Sequence, residues 1–106
     1  MIIYNVTCHI SDNCHTSWLH WMQKKHIPEV LQTGKFSKAV LVKVLVEEEQ
    51  GGVTYSVQYH AADEQSLVQY YKEDAPRLRQ EGLQLFGDEV LYFRTELQVI
   101  DTFELS

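Results

Sequence analysis

The chain has 106 residues and a formal net charge of −6, with 44% apolar and 11% aromatic residues. This length suits a single domain, residues 1–106, that builds its own core, and the composition excludes a disordered chain. The acidic balance argues against neutralisation of nucleic-acid phosphates. No apolar run approaches a membrane span. We therefore expect neither nucleic acid nor a membrane as a partner.

The amino-terminal residues and the cysteines indicate a cytoplasmic protein. Residues 1–7 lack the basic start and the small-residue cleavage site of a secretory signal. Two cysteines, Cys8 and Cys14, do not make a disulfide framework, and they do not form a Cys-x-x-Cys pair. We expect free thiols, with Cys8 as inert core packing.

The first half of the chain predicts a strand, a broken helix and a second strand. Residues 2–10 alternate apolar and polar, which is typical of a half-buried strand. A helix follows from about Cys14 to His26, and Pro28 is expected to break it because proline pushes Ile27 away from helical geometry. A short second segment then ends at Gly34. Residues 36–46, rich in β-branched side chains, predict the second strand.

The second half repeats this order. Gly51-Gly52 supplies the positive φ angles of a turn, and residues 53–61 alternate again as a strand. Asp63 is placed to cap a second helix that Pro76 kinks or splits and that Gly87 ends. The last strand is expected from Val90 to about residue 103.

This order, βαββαβ, predicts an α+β fold of the ferredoxin-like type. Right-handed crossovers place the first and third strands at the centre of a four-stranded antiparallel sheet, and both helices cover one face. We expect the more apolar side of each strand to face the helices. In the last strand this is the side of Leu91, Phe93 and Leu97, which leaves Tyr92, Arg94 and Glu96 on the opposite side.

The side of the sheet away from the helices is the open question of this fold. It is expected to collect polar residues such as Asn5, Gln58 and Arg94, with Arg94 and Glu96 as an ion pair. One interpretation is a wet surface. The other, which we favour, is a homodimer through the sheet face, with a polar network that is hydrogen-bonded throughout.

Several motifs in order carry a resemblance over nearly the whole chain. They are Ile2-Ile3-Tyr4-Asn5-Val6-Thr7, Trp18-x-x-Trp21-Met22, His26-Ile27-Pro28, Thr33-Gly34-Lys35-Phe36, Gly51-Gly52-Val53-Thr54-Tyr55-Ser56-Val57-Gln58-Tyr59 and Phe93-Arg94-Thr95. Together they resemble a bacterial family of unknown function in the dimeric α/β-barrel superfamily. The resemblance implies a ferredoxin-like protomer whose sheet packs on that of a second copy, and it brings no established activity.

The wider superfamily includes cofactor-independent monooxygenases, haem-degrading enzymes and small lactone isomerases, several of which hold their ligand between sheet and helices. The haem-degrading members need a Trp on the third strand and a His on the second helix. Here the third strand has Tyr55 and Tyr59, and residues 67–85 contain no His. We therefore expect no cofactor.

The chemistry-bearing residues give a short set of candidates. His26 is the candidate acid or base, because it precedes the expected break and an imidazole titrates near neutrality; its alternative role is to bond a backbone carbonyl at that break. The candidate ligand-binding residues are Asn5, Trp21, Tyr55, Gln58 and Arg94. The helical histidines lack i, i+4 spacing, so we predict no metal site.

Two functions remain open from the sequence. The first is a small dimeric module that binds a small, partly aromatic molecule or a protein partner. The second is a cofactor-independent enzyme of the monooxygenase or isomerase kind with a sheet–helix pocket. The sequence contains no phosphate-binding loop, nucleophile elbow or zinc-protease motif, so the absence of a converging catalytic set favours the first.

Overall fold

A computed structural model describes residues 1–106. The elements follow in the order β1 (Ile2–Ile10), α1 (His15–Trp21), α2 (Ile27–Gln32), β2 (Lys38–Lys43), β3 (Val53–Ala61), α3 (Glu64–Glu73), α4 (Ala75–Phe86) and β4 (Val90–Gln98). A π-helical turn, Met22–His26, joins α1 to α2, and a 3₁₀ turn, Gly87–Glu89, precedes β4. No helix is both long enough and apolar enough to span a membrane.

The four strands form one antiparallel sheet in the order β2-β3-β1-β4. The two central strands are therefore the first and third in sequence, and the predicted ferredoxin-like fold is confirmed. Gly51 and Gly52 have φ angles of 81° and 83° in the β2–β3 connection, as the Gly-Gly pair predicts. The strands β2 and β4 are shorter than expected, because chain pairing stops at Lys43 and Gln98.

The expected helix break before Pro28 is absent, and this prediction was wrong. Ile27 has φ −60° and ψ −46°, which is helical geometry. Its N–H bonds the carbonyl of Met22, five residues back, so the turn is wider than an α-helical turn. The wider turn admits the proline ring that would otherwise clash with the preceding turn of the helix. The helical path therefore runs on from His15 to Gln32.

The second helical segment divides as Pro76 predicts. The Asp63 carboxylate caps α3 by accepting a hydrogen bond of 2.8 Å from the Ser66 backbone N–H. Asp74, with φ −126°, separates α3 from α4, and Pro76 occupies the first turn of α4, where its missing N–H costs nothing. The segment thus divides into two helices next to Pro76, as the sequence predicts.

The prediction for the two sides of β4 was wrong. Pairing of Cys8 with Tyr92 and of Val6 with Arg94 places the even-numbered residues of β4 on the helix side. Leu91, Phe93 and Leu97 lie on the other side and are exposed, Phe93 by 62%. We name this other side the open face; it comprises Ile3, Asn5, Thr7, His9, Lys38, Val40, Val42, Thr54, Ser56, Gln58, His60, Leu91, Phe93, Thr95 and Leu97.

The hydrophobic core lies between the sheet and the helices. Alternate residues of β1 and β3 enter it, and Trp18, Met22, Val30, Leu67 and Leu78 close it from the helix side. Cys8 is fully buried there, and burial raises the pKa of its thiol to about 12. Cys8 is therefore a protonated packing residue at neutral pH, and both cysteines are free.

Candidate functional site: a cavity between sheet and helices

A cavity of about 280 Å³ remains between the sheet and the helices, and most of its lining is apolar. The sheet supplies its floor, and the first helical segment and α4 supply its walls. The lining residues are Tyr4, Val6, Cys8, Trp21, Met22, His26, Val57, Tyr59, Tyr70, Pro76, Leu78, Arg79, Gln80, Gly82, Leu83, Tyr92 and Arg94. Its volume is near the lower end for small-molecule sites.

His26 reaches the cavity because the π-helical turn carries it there. Its imidazole stacks on the Trp21 indole, with ring centroids 4.6 Å apart and planes 26° from parallel. Burial lowers the pKa of His26 to about 4; the Glu81 carboxylate opposes this, while Arg94 and Lys25 add to it. His26 is therefore neutral at pH 7. Its Nδ1 atom is shielded from water and has no hydrogen-bond partner.

Gly82 fixes the width of the cavity on the α4 side. A Cβ atom at this position would lie 3.2 Å from Cη2 of Trp21 and 3.4 Å from the Tyr92 hydroxyl oxygen. A side chain of any size would therefore press on both aromatic residues. Glycine allows α4 to approach the sheet closely while the space beside it stays open.

Two guanidinium groups border the apolar lining. Arg79 on α4 donates a hydrogen bond of 2.9 Å to the Tyr4 hydroxyl, and its guanidinium carbon lies 5.7 Å from the centroid of the Tyr71 ring. The guanidinium carbon of Arg94 on β4 lies 5.2 Å from the centroid of the Tyr92 ring. Both arginines thus rest on aromatic rings, as cation–π contacts require.

A cluster of aromatic rings supports one end of the floor. The Tyr4 ring lies about 6 Å, centroid to centroid, from Phe36, Tyr59, Tyr70 and Tyr71. Burial raises the pKa of Tyr59 and of Tyr70 well above the ordinary value for a phenol. These hydroxyls are therefore neutral at pH 7 and bring no charge to the cavity.

The structure separates the residues that the sequence proposed as ligand-binding. Trp21, His26 and Arg94 line the cavity. Asn5 and Gln58 pair with each other across β1 and β3 on the open face, and they cannot act with Arg94 on one ligand. The interpretation of Arg94 and Glu96 as an ion pair on that face was wrong, because both lie on the helix side and the Glu96 carboxylate accepts from Tyr71 at 3.1 Å.

Tyr55 lies on the helix side but outside the cavity lining. Its hydroxyl is 2.7 Å from Nε2 of His15, and its ring packs on Trp18. The Tyr55 hydroxyl and Nε2 of His15 therefore satisfy each other. No group of three or more His, Cys, Asp or Glu side chains comes together as a metal site would require.

Sequence reasoning missed Tyr4, Arg79, Gly82 and Tyr92 as cavity residues. One signal was available for Arg79: it precedes Gly82 by three residues, so both lie on one side of the helix. Tyr92 lies two residues after the buried Val90, on the same side of the strand. Which side of β4 faces the helices follows only from the pairing of β4 with β1. Gly82 carried a signal as a small residue within an otherwise apolar helical stripe.

The comparison with protein families decides the relationship of the chain. The model of a domain of unknown function, DUF4286, matches residues 1–100. The chain belongs to the DUF4286 family. This membership confirms the resemblance to a family of unknown function, while no curated protein matches the sequence.

Solved structures share the fold at low sequence identity. A dimeric ferredoxin-like protein from an uncultured marine organism matches with a TM-score of 0.71 at 15% identity, over 96% of this chain and 97% of its own. An ethyl tert-butyl ether d (EthD) family protein from Bacillus halodurans matches with a TM-score of 0.66 at 12% identity, over 94% and 100%. A candidate antibiotic biosynthesis monooxygenase from Deinococcus radiodurans matches with 0.59 at 13%, over 100% and 99%. These likenesses establish the ferredoxin-like fold.

Proposed function

We propose that this member of the DUF4286 family is a homodimer that binds a small, partly aromatic molecule in the cavity of each protomer. The observation that carries the ligand proposal is the cavity itself. Close packing normally leaves few spaces larger than a water molecule in a core, so a lined space of about 280 Å³ is unusual in a chain of this length. Aromatic walls and a few polar groups are typical of a ligand site.

The aromatic character of the proposed ligand follows from the lining. Trp21, Tyr59, Tyr70 and Tyr92 present ring faces or edges to the space, and such rings favour a flat partner by stacking or edge contacts. Arg79, Gln80 and Arg94 supply polar side chains among the lining residues for a polar substituent on that ligand. An apolar ring with a few polar substituents matches both features.

The open face supports the homodimer. Its exposed apolar residues on β4, Leu91, Phe93 and Leu97, have no cover in the protomer, and contiguous apolar patches mark interaction sites. A second sheet would cover these apolar residues. A structural neighbour described as a dimeric ferredoxin-like protein shares the fold.

Isothermal titration calorimetry with 2-naphthamide, a neutral aromatic probe, tests the ligand proposal. We expect saturable binding to the purified protein with one probe per protomer. Gly82→Leu should abolish binding, because the new side chain would fill the space beside Trp21 and Tyr92. Gln84→Leu, an exposed change on the same helix, is the matched control and should bind as the wild type does. Equal binding by both variants, or none by the wild type, contradicts the proposal.

The runner-up function is a cofactor-independent enzyme, and the neutral imidazole of His26 in the cavity is the observation that favours it. The same observation weakens it, because a base with a pKa of about 4 is poorly matched to proton abstraction at neutral pH. Liquid chromatography with mass spectrometry of the probe after incubation separates the two functions, since an isomer differs from the probe in retention and an oxygenated product in mass. An unchanged probe supports a binding module, and an oxygenated or isomerised product that His26→Gln eliminates supports an enzyme.

A further inference from the structure

We infer that the ligand of the cavity is an aromatic carboxylate, held at the cavity mouth by the guanidinium groups of Arg79 and Arg94. This inference rests on the proposed function and names its ligand class. Neither arginine belongs to the hydrophobic core, and the inference gives both a role in binding. Both line the cavity, one from α4 and the other from β4, so they border it from opposite sides.

The arginines of this chain divide by what they contact. There are three, and Arg77 pairs with Asp74 at 3.4 Å on the outside of α4. Arg79 and Arg94 form no ion pair with a carboxylate. In a chain of net charge −6, partners for two arginines are plentiful. Both residues are exposed at the border of an apolar cavity and have no carboxylate partner, so they are free to pair with a negative charge on a ligand.

The guanidinium groups retain donors for such a charge. A guanidinium has five N–H donors. Arg79 uses one of them on the Tyr4 hydroxyl, and Arg94 is held by its ring contact with Tyr92 and by no hydrogen bond to another side chain. The planar fork of these donors matches a carboxylate, which accepts two parallel hydrogen bonds. Each arginine thus keeps donors that a ligand carboxylate could accept from.

The acidic side chains nearest to the cavity are already engaged. The Glu96 carboxylate accepts from the Tyr71 hydroxyl, and Glu81 pairs with Lys25. His26 is neutral, so the charged side chains of the lining are the two arginines.

The test compares 2-naphthoate with 2-naphthamide, which share a ring system and differ in charge at pH 7. In calorimetric titrations we expect the wild type to bind the acid about ten-fold more tightly than the amide, as charge-assisted bidentate bonds allow. Arg79→Gln and Arg94→Gln should each reduce this preference toward unity. Arg77→Gln removes an equal charge from the same helix outside the cavity, and it should leave the preference unchanged.

Each outcome bears on one proposal or on both. Equal affinity for acid and amide in the wild type, or a preference that survives both cavity variants, overturns the carboxylate inference and leaves ligand binding intact. Binding of neither probe removes the proposed function, and the inference fails with it. A second measurement guards against a misfolded variant: in the wild type, added NaCl should weaken binding of the acid and leave binding of the amide unchanged.

Discussion

The two faces of the sheet differ in how they meet the rest of the molecule. On the helix face the strands send large side chains into a core that is complete except for one cavity. On the open face a polar centre, Asn5, Thr7 and Ser56, lies between apolar residues of both edge strands. Its polar groups bond one another, with 3.0 Å between the Thr7 and Ser56 hydroxyl oxygens.

The more apolar side of a strand is therefore not always the side that is buried within one protomer. The helix face of β4 carries Arg94 and Glu96, and its open face carries Phe93 and Leu97. On the central strands β1 and β3, most of the apolar residues lie on the helix face and most of the polar residues on the open face. An edge strand with its apolar side turned away from the core is expected where a second molecule supplies the cover.

The largest expected effect is on assembly, from Phe93→Glu. A carboxylate at this position would be buried without a partner in a sheet-to-sheet dimer, so we expect the dimer dissociation constant to rise about 100-fold or more. Light scattering and sedimentation at micromolar concentration measure it.

The matched control for assembly is Val68→Glu, since Val68 is also an exposed apolar residue and lies on α3, away from the open face. This variant should remain dimeric. A wild-type particle of 12.4 kDa, or a dimer that withstands Phe93→Glu, refutes the assignment of the open face as the interface.

The next effect is a loss of folding free energy at acid pH, which we expect from His26 in the π-helical turn. Its pKa is about 4 in the folded chain against 6.5 in the unfolded one, so the unfolded state binds more protons between these values. The stability contributed by the neutral imidazole is present above pH 6.5 and is lost as pH falls toward 4, by about 3 kcal/mol. Urea unfolding at fixed protein concentration, compared with His26→Gln, measures this difference.

Two checks accompany the acid experiment. His20 is exposed on α1, and His20→Gln should leave the pH dependence of the wild type unchanged. An NMR titration should show that the His26 ring remains neutral at pH 5.5. A His26 resonance that titrates near pH 6.5 would mean that the imidazole is hydrated and does not lie in a dry cavity wall.

The smallest effect is expected from Asp63→Ala, which removes the cap of α3 and touches neither face. Loss of an exposed N-cap hydrogen bond should lower the melting temperature by a few degrees. The particle mass and the affinity for 2-naphthamide should stay as in the wild type. A change in either would show that general loss of stability, and not a specific contact, explains part of the other results.

The sequence predicted the element order, the topology and the folding of β1 and β3 because these depend on local patterns. Alternation in residues 2–10 and 53–61, the Gly51-Gly52 pair and the split at Pro76 each act within a few residues. The prediction of a helical break before Pro28 was wrong, because it considered the preference of proline alone and not the geometry of the turn before it. A single wide turn absorbed the proline ring without ending the helix.

The site was predicted only in part, for a related reason. Trp21 and His26 were among the predicted site residues, and both line the cavity. The sides of Arg94 and Tyr92 depend on the pairing of β4 with β1, which is a long-range property. Apolar content pointed to the wrong side of β4, since it cannot distinguish a surface covered by helices from one left bare in the protomer.

The π-helical turn also sets the rotational phase of the residues that follow it. At 100° per residue, the eight steps from Met22 to Val30 would leave these side chains about 80° apart around a regular helix. The wider turn absorbs one step, which brings Val30 back to within about 20° of Met22, and both are buried. Loss of one residue would keep α2 in phase on a regular α-helix, but only with Pro28 replaced as well, since a regular helical turn has no room for its ring. A gained residue would turn Val30 away from the core.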